Sequence, residues 1–577
     1  MRAAEPVSTD PGGVSPPGYS VPGADTSTGH RWIRAERWAL AAILIGALAL
    51  RLWGIRHGLP YALNVDEGAH FVPRAIGMFG HSLNPQYFVN PPAFTYLLHF
   101  AFWVRWGTRE PVGGAFAADP STAFTLARVL AALLGAAAVG LLAWAGARLF
   151  DRRVGLVAAA LLAVAFLPVH YSHLAVNDMP ALAPLCLSLV GAAGVYRDGR
   201  LRDYALAGAA LGVACATKYT AGIVLLCLLG AAKSSPRGSD SVGRPRREAR
   251  TPVHGLALAG ALAVAGFVVA NPYALFDLQL FREGLELQSQ ASSDGGGKLG
   301  LTAGSGIVYY LGTLAWGLGV VPAVAAAGGA VWLAIRDRAR ALVLVPAPLL
   351  LILFLGIQDR FFARWILPVY PLLCLLAAWA AIEALRRTPA PALIAGALLC
   401  AQGLVFSIHN DLVLSRPDTR ALARAWMVDN IPEATKVVIE PIAPDAWAMD
   451  VGHPSRRTRT GHRWEKWRTS NFRGRRVKLE DYERTLSPAM LDRYARDGYC
   501  IVVTGSIQKG RAFADPEAVP RAVAYYRALG ARSELLYRVS PLRGGRRVGE
   551  FSFDSSYNSY PLSYARPGPE IEVRRLC

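Results

Sequence analysis

The chain has 577 residues, 53% of them hydrophobic, yet its formal net charge is +20 at pH 7. Apolar runs recur too often for a soluble globular protein, since roughly 20 largely apolar residues suffice to cross ~30 Å of hydrocarbon. Much of the basic excess sits in short loops between those runs, where Lys and Arg orient spans, so nucleic acid is not read as a partner.

Residues 1–36 are rich in Pro, Gly, Ser and Thr and read as a disordered cytoplasmic N-terminus. The basic flank Arg31-Trp-Ile-Arg-Ala-Glu-Arg37 comes too late for a cleaved signal peptide. Spans are expected at 38–53, 129–149, 154–169, 181–196, 204–217, 220–232, 253–270, 307–332, 341–357, 365–384 and 392–408. The aromatic stretch 91–106 is interrupted by His99 and Arg105 and reads as an interfacial helix. With 91–106 at the surface, the clusters around Arg152, Arg200, Arg247, Arg338 and Arg386 all become cytoplasmic, as the positive-inside bias requires. The fold class is therefore a polytopic α-helical membrane protein of about 11 transmembrane helices, N-terminus in and C-terminus out. The plasma membrane is its expected location.

Residues 37–410 form the membrane domain, with a first outer loop at 56–121. Residues 411–577 have soluble composition, and alternating strand-like and helical stretches predict an extracytoplasmic α/β domain. Within it, 456–478 is dense in Arg and Lys, either a solvated loop or a site for anionic headgroups or polymer. The seven cysteines show neither CxxC nor Cys/His spacing, so no zinc site or disulfide framework is expected.

The outer loops hold the chemistry. Asn64-Val-Asp-Glu-Gly-Ala-His70 places Asp66 and Glu67 side by side in a segment poor in acid. A carboxylate there serves as a general base, or Asp66 merely caps a helix. His170-Tyr-Ser-His-Leu-Ala-Val-Asn-Asp-Met-Pro180 brings His173 and Asp178 to the outer face, where they could meet Asp66 or share a divalent ion with it. Beyond that ion no cofactor is expected. Arg128, Lys218, Arg360 and Arg364 sit at outer ends of predicted spans, at the depth of a lipid phosphate whose developing charge they could stabilise. Asn271-Pro-Tyr273 opens a later outer loop, and the glycine-rich 293–298 in that loop reads as a lid without phosphate-loop spacing.

In chain order, Asp66-Glu67, Asn90-Pro-Pro92, Arg128, 170–180, Thr217-Lys-Tyr219, Asn271-Pro-Tyr273 and Arg364-Trp-Ile-Leu-Pro368 resemble the GT-C membrane glycosyltransferases. The likeness is to the branch of protein O-mannosyltransferases and lipid A aminoarabinose transferases, glycosyltransferase family 39, over residues 38–408. It implies inverting transfer from a polyprenyl-phosphate sugar to an envelope glycan, lipid or protein. Asp66 would be the base, with Glu67 and Asp178 beside it. Arg364, with Lys218 or Arg128, would hold the donor phosphate, and Arg360 stands nearby in sequence. His173, Asn90, Tyr219, Asn271 and Tyr273 would contact substrate. Asn90 and Trp365 depart from the family pattern of Lys or His, and Tyr. A transporter or lipid-linked glycan flippase is the competing reading; it would place ionisable groups at mid-membrane on broken helices.

Overall fold

The computed structural model describes residues 34–80, 82–235, 252–293, 299–300, 305–386, 392–467, 482–549, 551 and 560–577. Expectations for 1–33, 236–250, 294–298 and 468–478 lie outside them.

The membrane part opens with α1 (Arg34–Leu52) and the aromatic α2 (Ala93–Trp106). Next come α3 (Ser121–Leu149), α4 (Arg152–Val164), α5 (Phe166–Ser172), α6 (Leu182–Asp198) and α7 (Leu201–Thr217). Then follow α8 (Leu225–Ser234), α9 (Pro252–Ala270), α10 (Leu278–Ser293), α11 (Gly306–Arg336), α12 (Arg338–Gly356), α13 (Ala363–Leu385) and α14 (Ala392–Leu414). Among the described residues six helices are long and apolar enough to cross a membrane, and the bent pair α4–α5 makes a seventh. The helices α6 and α7 have only 17 residues each. Val253, Val264 and Val269 on α9 are 65–81% exposed, an apolar face suited to lipid rather than water.

Small residues set the helix spacing. A Cβ on Gly208 would stand 2.1 Å from the Ala259 carbonyl oxygen, and one on Gly212 equally close to that of Ala263. Thus α7 and α9 meet backbone to backbone, the packing small residues permit in lipid.

One expected span is broken. The run read as straight over 154–169 turns by 58° between α4 and α5. Pro168 has no N–H and its ring excludes the carbonyl four residues back. The carbonyls freed at the break find other donors: Arg51 donates to Leu162 and Ala163, and the Ser407 hydroxyl to Val164. A buried arginine thus caps the broken end, which explains why α1 keeps a charge that is 0% exposed.

After α15 (Thr419–Asn430) the chain forms a five-stranded sheet in the order β2-β1-β3-β5-β4. Its strands are β1 (Lys436–Ile439), β2 (Glu465–Lys466), β3 (Ile501–Gly505), β4 (Glu534–Val539) and β5 (Ile571–Arg575). Strand β1 is parallel to β2 and β3, whereas β5 runs antiparallel to both β3 and β4. Helices α16 (Ala489–Arg496), α17 (Ser506–Ala514) and α18 (Pro520–Arg532) accompany it. The expectation of no disulfide is overturned: Cys500 and Cys577 are bonded, 77 residues apart in sequence. The pairing of Ile501 with Arg575 brings the ends of β3 and β5 together, which no sequence spacing announces.

Candidate active site

Asp66 precedes a π-helical turn (Glu67–Phe71) and could have capped it, but its carboxylate makes no capping bond. Asn64 takes that duty, its Oδ1 accepting from the Glu67 N–H at 3.1 Å. The freed Asp66 carboxylate pairs with Arg364 at 2.5 Å. Arg364 lies in the 3-10 turn Ala363–Val369 that begins α13, packed against the 3-10 turn Tyr219–Val224. Lys218 sits at the start of the latter and pairs with Asp178. The meeting is arranged from behind: the Asn177 amide donates to the Thr217 carbonyl at 2.7 Å, tying the segment before α6 to the end of α7. Asp178 and Lys218 are 2% and 7% exposed, so each charge needs the other.

The two pairs form one electrostatic unit. Asp66 also feels Lys218, and Arg364 also feels Asp178 and Tyr171. Burial raises the Asp66 carboxyl, but Arg364, with His70 and Lys218, outweighs it and holds the group below its ordinary value. His70 lies one turn beyond Asp66 and stacks on Tyr87 with centroids 4.6 Å apart. Burial, opposed by Asp66, leaves its imidazole below the usual value. Tyr87 accepts a hydrogen bond from Asn90 at 3.1 Å and carries Arg74 over its ring at 4.4 Å. The sequence reading missed His70, Arg74 and Tyr87, although the one-turn spacing of Asp66 and His70 was a usable signal.

Several expected site residues have other work. Arg128 grips Glu67 through two hydrogen bonds of 2.6 and 2.7 Å and gives Nη1 to the Ile55 and His57 carbonyls. Glu67 also accepts the Ala175 N–H at 3.0 Å. Both side chains are 1% exposed or less, so the pair is a strut between the loop after α1 and α3. The structure thus places Arg128, expected at the donor phosphate, and Glu67, expected beside the base, in a buried pair with each other. His173 bonds the Val169 and Trp53 carbonyls and approaches Asp411 at 3.4 Å. Both ring nitrogens are thus engaged away from Asp66, and the trio proposed for a metal is not assembled. Among the described residues no group of three His, Cys, Asp or Glu side chains is arranged to hold a metal ion.

Tyr219 donates its hydroxyl to the Phe88 carbonyl at 2.8 Å, fixing the loop that carries Tyr87 beside Lys218. Arg360 lies over the Phe362 ring at 5.4 Å, and Arg364 over the same ring at 4.9 Å. Tyr273 packs edge-on against Phe276. Asn271 is fully buried, and among the described residues neither polar atom of its side chain has a hydrogen-bond partner.

Residues 121–268 match the family profile described as dolichyl-phosphate-mannose-protein mannosyltransferase. The match contains Asp178 and Lys218 and stops short of Asp66 and Arg364. The fold is similar to that of the apo Archaeoglobus fulgidus oligosaccharyltransferase, at 14% identity and a TM-score of 0.50, covering 90% of this chain and 75% of that one. The profile covers about a quarter of the chain, and the likeness to the solved structure is one of fold. Apo ArnT from Cupriavidus metallidurans aligns at 16% identity and a TM-score of 0.47, covering 93% of this chain and 98% of that one. No curated protein sequence matches the chain.

Proposed function

We propose that the protein is a glycosyltransferase that takes a sugar from a polyprenyl-phosphate donor and passes it, with inversion, to an envelope glycan, lipid or protein on the extracytoplasmic face. Asp66 is the general base. The acceptor oxygen bonds to the anomeric carbon as the bond from that carbon to the phosphate oxygen breaks. The bonding pair leaves with the phosphate, and the acceptor proton goes to the Asp66 carboxylate. The leaving phosphate gains charge in that step, and Arg364 and Lys218 are the cations placed to receive it.

The observation that carries this reading is the abutting pair of ion pairs, Asp66–Arg364 and Lys218–Asp178. Each acid holds a cation in readiness. When a donor phosphate draws Arg364 away, the Asp66 carboxylate loses its strongest partner and becomes a better base where it is needed. The polyprenyl donor is supported by the dolichyl-phosphate-mannose description of the matching family.

The reading keeps about 11 spans, a cytoplasmic N-terminus, a membrane domain over 37–410 and an exported domain over 411–577. The Cys500–Cys577 bond supports an oxidising compartment for the latter. The deciding experiment replaces Asp66 by Asn, which keeps the shape and removes the base. The variant is expected to insert and purify normally while transfer from a polyprenyl-phosphate sugar disappears. Transfer at the wild-type rate would refute the assignment.

A further inference from the structure

At the carboxyl end of β3, where the parallel half of the sheet meets the antiparallel half, lies a cavity of about 400 Å³. Crevices at the carboxyl ends of strands are where open α/β sheets bind ligands. Lys509, Arg547, Glu570, Glu572, Phe513 and Phe551 line it. The reaction proposed above uses none of them.

Their chemistry narrows the occupant. Glu570 and Glu572 are two residues apart at the start of β5, so both face the same side, and they are 8% and 5% exposed. Glu570 spends one oxygen on the Val548 N–H at 2.9 Å, and Glu572 one on Arg574 at 2.8 Å. Among the described residues the other Glu572 oxygen is buried without a hydrogen bond, and the Arg547 guanidinium stands 3.7 Å from it. Two carboxylates repel an anion, and Lys509 with Arg547 repels a cation. A polyhydroxylated neutral molecule fits both, because each hydroxyl donates to a carboxylate and accepts from an ammonium or guanidinium. Aromatic faces complete the lining. Phe513 is 42% exposed, and the Phe551 ring is seated against Gly300 and Gly510, where any Cβ would crowd it.

Gly300 and its neighbour Leu299 come from the stretch between α10 and α11, and Leu299 is buried in the core that includes α18. The cavity is therefore built where the membrane domain inserts a segment into the sheet domain.

We propose that this cavity is a saccharide-binding site that holds neutral acceptor or product glycan apart from the catalytic charges. It rests on the glycosyltransferase reading above for the source of the glycan, but not for the binding itself. The test uses the full-length protein in nanodiscs free of sugar detergent, with saturation-transfer NMR against mannobiose, galactobiose, arabinobiose and cellobiose. Inorganic pyrophosphate and spermidine serve as charged comparators. At least one disaccharide is expected to bind, about tenfold more weakly in Lys509→Ala and Phe513→Ala, a loss the size of one polar or aromatic contact. Both positions are partly solvated, so the variants should keep the wild-type melting temperature, and Asp66→Asn should bind as wild type does. The proposal is overturned if no disaccharide binds, if pyrophosphate or spermidine binds in preference, or if binding survives both cavity variants. Sugar transfer by Asp66→Asn would sink the catalytic reading alone, because binding here is read without turnover.

Discussion

At the scale of single residues, Asp66 is held as a carboxylate by the cation it is proposed to surrender. In the free enzyme Arg364 keeps its proton affinity low, so kcat/KM should show its acid limb below the ordinary carboxylate range. In the donor complex the phosphate competes for Arg364, the carboxyl rises, and the acid limb of kcat should lie at higher pH. Coincident limbs in the two profiles would mean that Arg364 does not change partners. Glu67, next in sequence, has a different fate. Breaking its buried pair with Arg128 by Glu67→Leu should cost about 3–5 kcal/mol, while Glu67→Leu with Arg128→Leu should recover much of that. Thermal unfolding in detergent measures both; a single variant as stable as wild type would remove the strut. Residue types at both pairs were legible in the sequence, but partners were not. Arg128 and Glu67 are 61 positions apart and Lys218 and Asp178 are 40 apart, and only the fold decides which acid meets which cation.

Among the elements, apolar runs were legible because burial in lipid demands them, and most predicted helices lie within a few residues of those observed. What length and hydropathy could not convey was the break between α4 and α5. Pro168 hinted at it, yet the donors that make it tolerable, Arg51 and Ser407, come from α1 and α14. Strand β5 was missed for a related reason. Ile571-Glu-Val-Arg-Arg575 carries three charges, and its place between β3 and β4 comes from pairing rather than from propensity. Helix contact in the membrane domain offers the test at this scale. Because α7 and α9 touch at Gly208, Gly208→Leu must push the helices apart or tilt them. Packing and the tie from Asn177 to Thr217 would loosen, so Lys218 should lose its place. Reduced transfer with a lower melting temperature is expected, whereas Gly260→Leu, which meets nothing within 4 Å, should leave both unchanged.

For the whole molecule, the sheet domain is fastened to the membrane domain at several points rather than hung from a linker. Arg424 lies over Tyr61 of the loop after α1 at 5.4 Å, the His409 ring bonds the Pro561 carbonyl at 3.0 Å, and Leu299 enters the sheet domain's core. Unfolding of that domain should therefore be felt at the catalytic charges. The disulfide gives a way to weaken it without touching the membrane part, since Cys500 and Cys577 close a loop of 77 residues. Cross-links of that length restrict the unfolded chain by about 4 kcal/mol. In the Cys500→Ser and Cys577→Ser double variant the sheet domain should melt several degrees lower. Sugar transfer should fall at the temperature where that domain melts, while the helical signal persists to higher temperature. Transfer that continues unchanged above the melting of the sheet domain would show that the membrane domain works alone.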